Sequence, residues 1–123
     1  MIRTDKIFAW MLLVLASVHT VLGSIALMRN TDPAKLATLV WFISGGFDLI
    51  LAAFLNFARI ARPADTLVRR FSVAGNFLQV VLCALVIWMF IPEIKHNPQV
   101  IVLTVVVVAE TLFSLRPASA KQW

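Results

Sequence analysis

Charged side chains are scarce in this sequence. Asp, Glu, Lys and Arg make up 14% of its 123 residues, whereas 61% of the residues are hydrophobic. Soluble domains contain about 25% charged and about 45–50% apolar residues. The deficit excludes an ordinary water-soluble domain and predicts a polytopic membrane protein. The length allows one compact domain, residues 1–123.

Cysteine and acidic residues are few as well. Cys83 is the only cysteine, so an internal disulfide is excluded, and its apolar surroundings favour inert packing. Six acidic residues stand against eleven basic ones, which gives a pI of about 10.4. The basic residues lie between hydrophobic segments rather than in one patch. We therefore expect the lipid bilayer, and not nucleic acid, to be the partner that explains the charge.

Four apolar runs are long enough to cross a membrane as helices. A helix needs about 20 apolar residues to span the hydrocarbon core, and the polar turns between the runs are short. The fourth run is rich in valine, but a spanning helix fits this composition better than a strand. The sequence therefore predicts an all-α fold, a four-transmembrane-helix up-down-up-down bundle. The predicted helices cover about residues 7–28, 36–57, 71–91 and 99–115.

The basic residues predict the orientation of this bundle. With four spans, eight of the eleven basic residues fall on the side of the two termini and three on the opposite side. Basic residues are enriched in cytoplasmic loops, so we expect both termini in the cytoplasm. Arg3 and Lys6 also resemble the start of a signal peptide, but the run after them is long for one.

Polar residues interrupt each apolar run. Asp48, which follows Gly45 and Gly46, lies near the middle of the second run, and His19 lies at a similar depth in the first. Because polar groups are costly in lipid, we expect them to face a shared interior. Two helix faces should join them there. Their members are Ser72, Asn76, Gln79 and Cys83 on the third helix, and Glu110 and Ser114 on the fourth.

Each polar feature also has a purely structural interpretation. His19 can hold two helices together by donating to a carbonyl or to Asp48, and Asn76 and Gln79 can act as hydrogen-bonding residues of the core. Gly45 and Gly46 either let helices pack closely or clear room for a ligand. Haem would need a second axial ligand at the depth of His19, and no tight ligand spacing supports a metal site. We predict neither a metal nor a cofactor.

Two short segments resemble a known group of membrane proteins. The segments His19–Gly23 and Trp41–Gly45 are similar to patterns in small bacterial four-helix membrane proteins of the DoxX-like group. The resemblance covers the first half of the chain and implies a four-helix fold in a bacterial cytoplasmic membrane. It implies no activity and transfers no functional residue. The membrane-embedded glutamate that small multidrug transporters carry in their first helix is absent.

Three functions follow from these features. In the first, the bundle is an integral-membrane enzyme that performs acid–base chemistry on a lipophilic small molecule, as a cofactor-independent isomerase, cyclase or hydrolase. Its predicted catalytic residues are Asp48, Glu110 and His19, and its predicted substrate-binding residues are Asn76, Gln79, Ser44 and Trp41. In the second, the protein is an accessory or scaffold subunit. In the third, it is a proton-coupled carrier. Assembly into a homo-oligomer is also left open.

Overall fold

The computed structural model of the protein describes residues 2–89, 91–96 and 98–117, and all its regular structure there is helical. The predicted all-α class is therefore confirmed, and each apolar run lies within or largely within one helix. The third helix ends at Met89, before the predicted end at residue 91, and a short 3₁₀ helix follows it. The elements are α1 (Ile2–Arg29), α2 (Pro33–Ala61), α3 (Thr66–Met89), the 3₁₀ helix (Ile91–His96) and α4 (Pro98–Leu115).

Aspartates cap the starts of two helices. Asp32 precedes Pro33, the first residue of α2, and its side chain accepts a hydrogen bond from the backbone N–H of Ala34 at 3.0 Å. Asp65 accepts from the N–H groups of Leu67 and Val68 at the start of α3, at 3.0 and 3.1 Å. These contacts satisfy donors that a helix start leaves free. They explain why α2 and α3 begin at these points.

All four α-helices are long and apolar enough to cross a membrane, which indicates an integral membrane protein. Large hydrophobic side chains are exposed on every one of them. Most of the chain's apolar surface thus faces outward, as a helix in lipid requires. At 1.5 Å per residue, the 18 residues of α4 cover about 27 Å, close to the thickness of the hydrocarbon core.

The helices pack in a ring in which α1 contacts α2 and α4, and α3 contacts α2 and α4. In the α1–α2 pair, Trp10 packs against Phe57 at 4.9 Å and His19 stacks on Phe42 at 3.5 Å between ring centroids. A later residue of α1 thus meets an earlier residue of α2, so this pair is antiparallel. The up-down-up-down arrangement of all four helices stays a prediction.

The apolar core is built largely from small side chains. Alanines on two helices contribute much of it, and small residues let helices approach closely. The buried hydrophobic residues are Ala9, Leu12, Ala16, Leu49, Ala52, Ala53, Cys83, Val106 and Val107.

The two adjacent glycines of α2 have different surroundings. A Cβ added at Gly46 would collide with the hydroxyl of Thr20 and lie 3.3 Å from Cδ2 of His19. A Cβ added at Gly45 would meet nothing within 4 Å. Of these two glycines, Gly46 is therefore the one that lets α1 and α2 pack closely, while Gly45 lies toward open space.

This difference predicts opposite outcomes for two matched variants. Gly46→Ala must move Thr20, so we expect it to lower the free energy of unfolding by about 1–3 kcal/mol. Gly45→Ala should be neutral or slightly stabilising, because alanine is the better helix former. Unfolding in detergent micelles, followed by circular dichroism, measures both. Equal losses in the two variants would contradict the proposed close packing at Gly46.

Candidate functional site

A buried ion cluster joins three helices near one end of the bundle. The guanidinium of Arg59 binds both carboxylate oxygens of Asp5, with Nη1–Oδ2 and Nη2–Oδ1 distances of 2.8 Å each. Its Nη2 also lies 3.3 Å from Oε2 of Glu110. The side chains of Arg59 and Asp5 are 9% and 15% exposed, and that of Glu110 is fully buried. A cation is thus held between two acids, away from solvent.

An amide layer continues this cluster toward the middle of the bundle. Asn56 and Asn76 donate to each other's side-chain oxygens at 2.9 and 2.8 Å. The hydroxyl of Ser72 donates to Oδ1 of Asn56 at 2.7 Å and accepts from Nε of Arg59 at 3.1 Å. Ser72 therefore links the ions to the amides. We call the six residues Asp5, Asn56, Arg59, Ser72, Asn76 and Glu110 the polar core.

Helical spacing explains why these side chains meet. Asn56 and Arg59 are three residues apart on α2, and Ser72 and Asn76 are four apart on α3, so each pair shares one face. The predicted face of α3 is confirmed, since its buried residues are Ser72, Asn76, Gln79 and Cys83. The predicted face of α4 is confirmed too, with Glu110 and Ser114 both buried. Only Asp5 comes from α1, where its carboxylate reaches the Arg59 guanidinium.

Two buried side-chain oxygens, one of them in the polar core, have no hydrogen-bond partner among the described residues. They are Oε1 of Gln79 and Oε1 of Glu110. Glu110 is fully buried and Gln79 is 8% exposed. Buried polar atoms are nearly always paired, so two orphaned acceptors are an exception that calls for a donor. A bound hydroxyl, amide or proton could supply it.

The polar core can take part in electrostatic and hydrogen-bonding interactions and in proton transfer. A guanidinium positioned between carboxyls can stabilise negative charge, and a buried carboxyl can accept or release a proton. Within residues 2–89, 91–96 and 98–117, no group of three His, Cys, Asp or Glu side chains is arranged to hold a metal ion.

Asp48 does not join this interior, so the prediction of a shared cluster around it is wrong. Its neighbour Leu49 is buried, together with Ala52 and Ala53, while Asp48 itself is exposed. Successive residues of a helix are about 100° apart, which turns Asp48 away from the face that packs. Within the described part of the chain, Asp48 makes no hydrogen bond or ion pair.

Two predicted substrate-binding residues lie outward with it. Ser44 is exposed and its hydroxyl donates to the carbonyl of Val40 at 2.9 Å, in its own helix. Trp41 is 79% exposed. Of the four predicted binding residues, only Asn76 and Gln79 are buried in the interior, and Nδ2 of Asn76 lies 3.4 Å from the carbonyl oxygen of Glu110.

His19 lies between these two environments. It is half-buried, its ring stacks on Phe42, and its Nε2 lies 3.1 Å from the Phe42 carbonyl oxygen. With the proton on Nε2, the imidazole donates to that carbonyl and joins α1 to α2. This contact fits the structural interpretation of His19. It places His19 beside Phe42 and Gly46 rather than in the polar core.

Sequence reasoning missed Asp5, Asn56 and Arg59. Hydropathy predicts that the second helix ends near residue 57, which places Arg59 in the connection that follows it. The helix in fact continues to Ala61. A usable signal was present, because Ala52, Asn56 and Arg59 follow one another at steps of four and three. Extending that face beyond the apolar run would have placed Arg59 inside.

No known protein family, curated protein or solved structure matches the chain. The resemblance to the DoxX-like group stays a prediction.

The ion cluster predicts a large effect of one substitution. Arg59→Met leaves the buried Glu110 and the partly buried Asp5 without their cation, so we expect a loss of about 3–5 kcal/mol in the free energy of unfolding. Combining it with Asp5→Leu and Glu110→Met removes the charges together and should restore most of the loss. Denaturant unfolding in micelles measures the series.

Arg62→Met is the matched control for this series, because Arg62 is exposed three residues away. It should change the stability by less than about 0.5 kcal/mol. If Arg59→Met were as mild as Arg62→Met, the ion cluster would not be what holds this end of the bundle together.

Proposed function

We propose that the protein is a membrane interaction subunit, which binds a partner membrane helix carrying a basic residue through the α2 face around Asp48. The observation that carries this proposal is the exposed position of Asp48 on an apolar helix. Asp48 lies 15 residues from the start of α2 and 13 from its end. At 1.5 Å per residue, about 20 Å of helix separates it from either terminus.

A charge at this depth in a membrane is energetically costly. An acid near the middle of a spanning helix costs about 2.5–3.5 kcal/mol on membrane-insertion scales, and such residues usually pair or line a cavity. Asp48 has no such partner among the described residues of its own chain. A lysine or arginine of another membrane helix would supply one, so the cost becomes a reason for assembly.

The shape of the same face supports close approach by another helix. Ser44 lies one turn before Asp48, and the Cβ position of Gly45 is open. Two turns after Asp48 on this face, Leu55 packs against Gly75 of α3. The face is therefore covered by α3 at Leu55 and uncovered at Asp48. Small and polar residues at an uncovered face are typical of interfaces between membrane helices.

The proposal includes an orientation and a location. The contacts of Arg59 bring the start of α1 and the ends of α2 and α4 together. Most of the basic residues lie at or near this end of the bundle, among them Lys6, Arg59, Arg62, Arg69, Arg70 and Arg116. The positive-inside rule favours this end on the cytoplasmic side, with both termini there. A bacterial cytoplasmic membrane is the location that the DoxX-like resemblance implies.

A synthetic membrane helix tests the proposal directly. The probe is a leucine–alanine helix with one central lysine, and its control carries glutamine instead. In vesicles, energy transfer between labelled probe and protein should show binding of the lysine helix that is about tenfold tighter than that of the glutamine helix. Asp48→Asn should abolish this preference, because it removes the charge and keeps the size.

Two further variants complete the test. Asp48→Glu keeps the charge and should keep the preference, and Phe47→Leu changes an adjacent exposed residue and should leave it intact. Equal binding of both probes by the wild type would overturn the proposal. Association of the protein with itself that Asp48→Asn abolishes would also overturn it, since the partner would then be a second copy.

A second function is favoured by the orphaned oxygens of Glu110 and Gln79. In this alternative, the protein is an acid–base enzyme acting on a lipophilic molecule with a polar group. Glu110 would exchange the proton, Arg59 would stabilise negative charge, and Asn76 and Gln79 would hold the polar group. Asp48 and His19 have no part in this narrower site.

Infrared difference spectroscopy can test this alternative. A long-chain alcohol should perturb the carboxyl band of Glu110, because its hydroxyl can pair with Oε1, whereas an alkane of equal length should not. Glu110→Gln should lack the signal and remain folded, since glutamine can still accept from Arg59. Identical spectra with the alcohol and the alkane would exclude a polar-group site at Glu110.

A further inference from the structure

We infer that the outer surface of α3 binds an anionic phospholipid, with its phosphate at Arg70 and an acyl chain along Phe77. This surface has an open depression of about 570 Å³. Its lining residues are Thr66, Arg69, Arg70, Val73, Ala74 and Phe77. The observations that carry this inference are independent of Asp48 and of the polar core.

The depression changes from basic to apolar along the helix axis. Thr66, Arg69 and Arg70 lie in its first turns, at the end of the bundle that carries most of the basic residues. Val73 and Phe77 follow Arg70 at steps of three and four, so they continue the same face inward. A molecule that fits this order has an anionic head and a hydrocarbon chain.

The two arginines are available to different degrees. Arg69 is half-buried, and its Nη2 donates to the carbonyl of Leu115 at 3.2 Å, which fixes it against the end of α4. Arg70 is exposed and has no hydrogen bond or ion pair within the described part of the chain. The nearest acid in sequence, Asp65, accepts from the backbone of α3. Arg70 is therefore the cation that remains for a phosphate.

The apolar half of the depression distinguishes a lipid from a soluble phosphate. Phe77 is 58% exposed, and a free phosphate has no group that would pack against it. An acyl chain that lies over Val73, Ala74 and Phe77 removes that surface from other contacts and holds the head near Arg70. Basic pockets at the cytoplasmic side of spanning helices are typical sites for anionic lipid heads. These features favour a phospholipid over a soluble phosphate.

Native mass spectrometry of the full chain in neutral detergent tests the inference. The probes are phosphatidylglycerol, phosphatidylcholine with the same chains, and glycerol phosphate. Phosphatidylglycerol should bind about fivefold or more tightly than phosphatidylcholine, and millimolar glycerol phosphate should not displace it. Arg70→Gln should lower the ratio of phosphatidylglycerol affinity to phosphatidylcholine affinity about fivefold, as expected for one arginine near a charged lipid. Arg70→Lys should retain most of it.

Arg62→Gln is the matched control, because it removes one exposed arginine at the same end of the bundle without touching the depression. It should leave the preference unchanged. Phe77→Ser should weaken both lipids and preserve their ratio, and thermal unfolding of each variant confirms its fold. Equal binding of the two lipids, equal effects of Arg62→Gln and Arg70→Gln, or displacement by glycerol phosphate would each overturn the inference.

Discussion

The guanidinium of Arg59 is the interaction on which this end of the bundle depends. It contacts Asp5 of α1, Ser72 of α3 and Glu110 of α4, while its own backbone belongs to α2. No other single side chain described here bonds to all three neighbouring helices. Lipid offers little hydrophobic driving force between helices, so packing and such polar contacts must hold them together. The geometry of Arg59 therefore constrains the register of all four helices.

The sequence predicted the parts of this arrangement that repeat within a single helix. Steps of four, three and four identified the buried face of α3, and the spacing of Glu110 and Ser114 identified that of α4. Arg59 and Asp5 escaped because each lies beyond an apolar run, where hydropathy indicates a loop. Asp48 was assigned inward because polar residues in lipid usually face the interior. Whether a single polar residue faces the interior or the lipid depends on where the neighbouring helices lie. The periodicity of one helix carries no information about those positions.

Arg59 and Asp48 show two solutions to the same electrostatic problem. The charge of Arg59 is satisfied within the chain by two carboxylates and a hydroxyl, so it needs no other molecule. The charge of Asp48 has no described partner in the chain, although it lies on the same helix. A buried ion that is fully paired stabilises the structure around it. An unpaired ion with a similar desolvation cost needs a partner from another molecule. This contrast is why we place the interaction function at Asp48 and the structural role at Arg59.

The two roles are connected through α2. Asp48 and Arg59 are 11 residues apart in the sequence, or about 16 Å along the helix axis. Between them, Leu49, Ala52, Ala53 and Asn56 are all buried against the other helices. Rotating or sliding α2 to accommodate a partner would break the bidentate contact between Arg59 and Asp5 and the hydrogen bonds between Asn56 and Asn76. The partner helix that we propose for Asp48 would therefore have to adapt to a fixed helix face, and its basic residue would have to reach Asp48 where α3 leaves α2 uncovered.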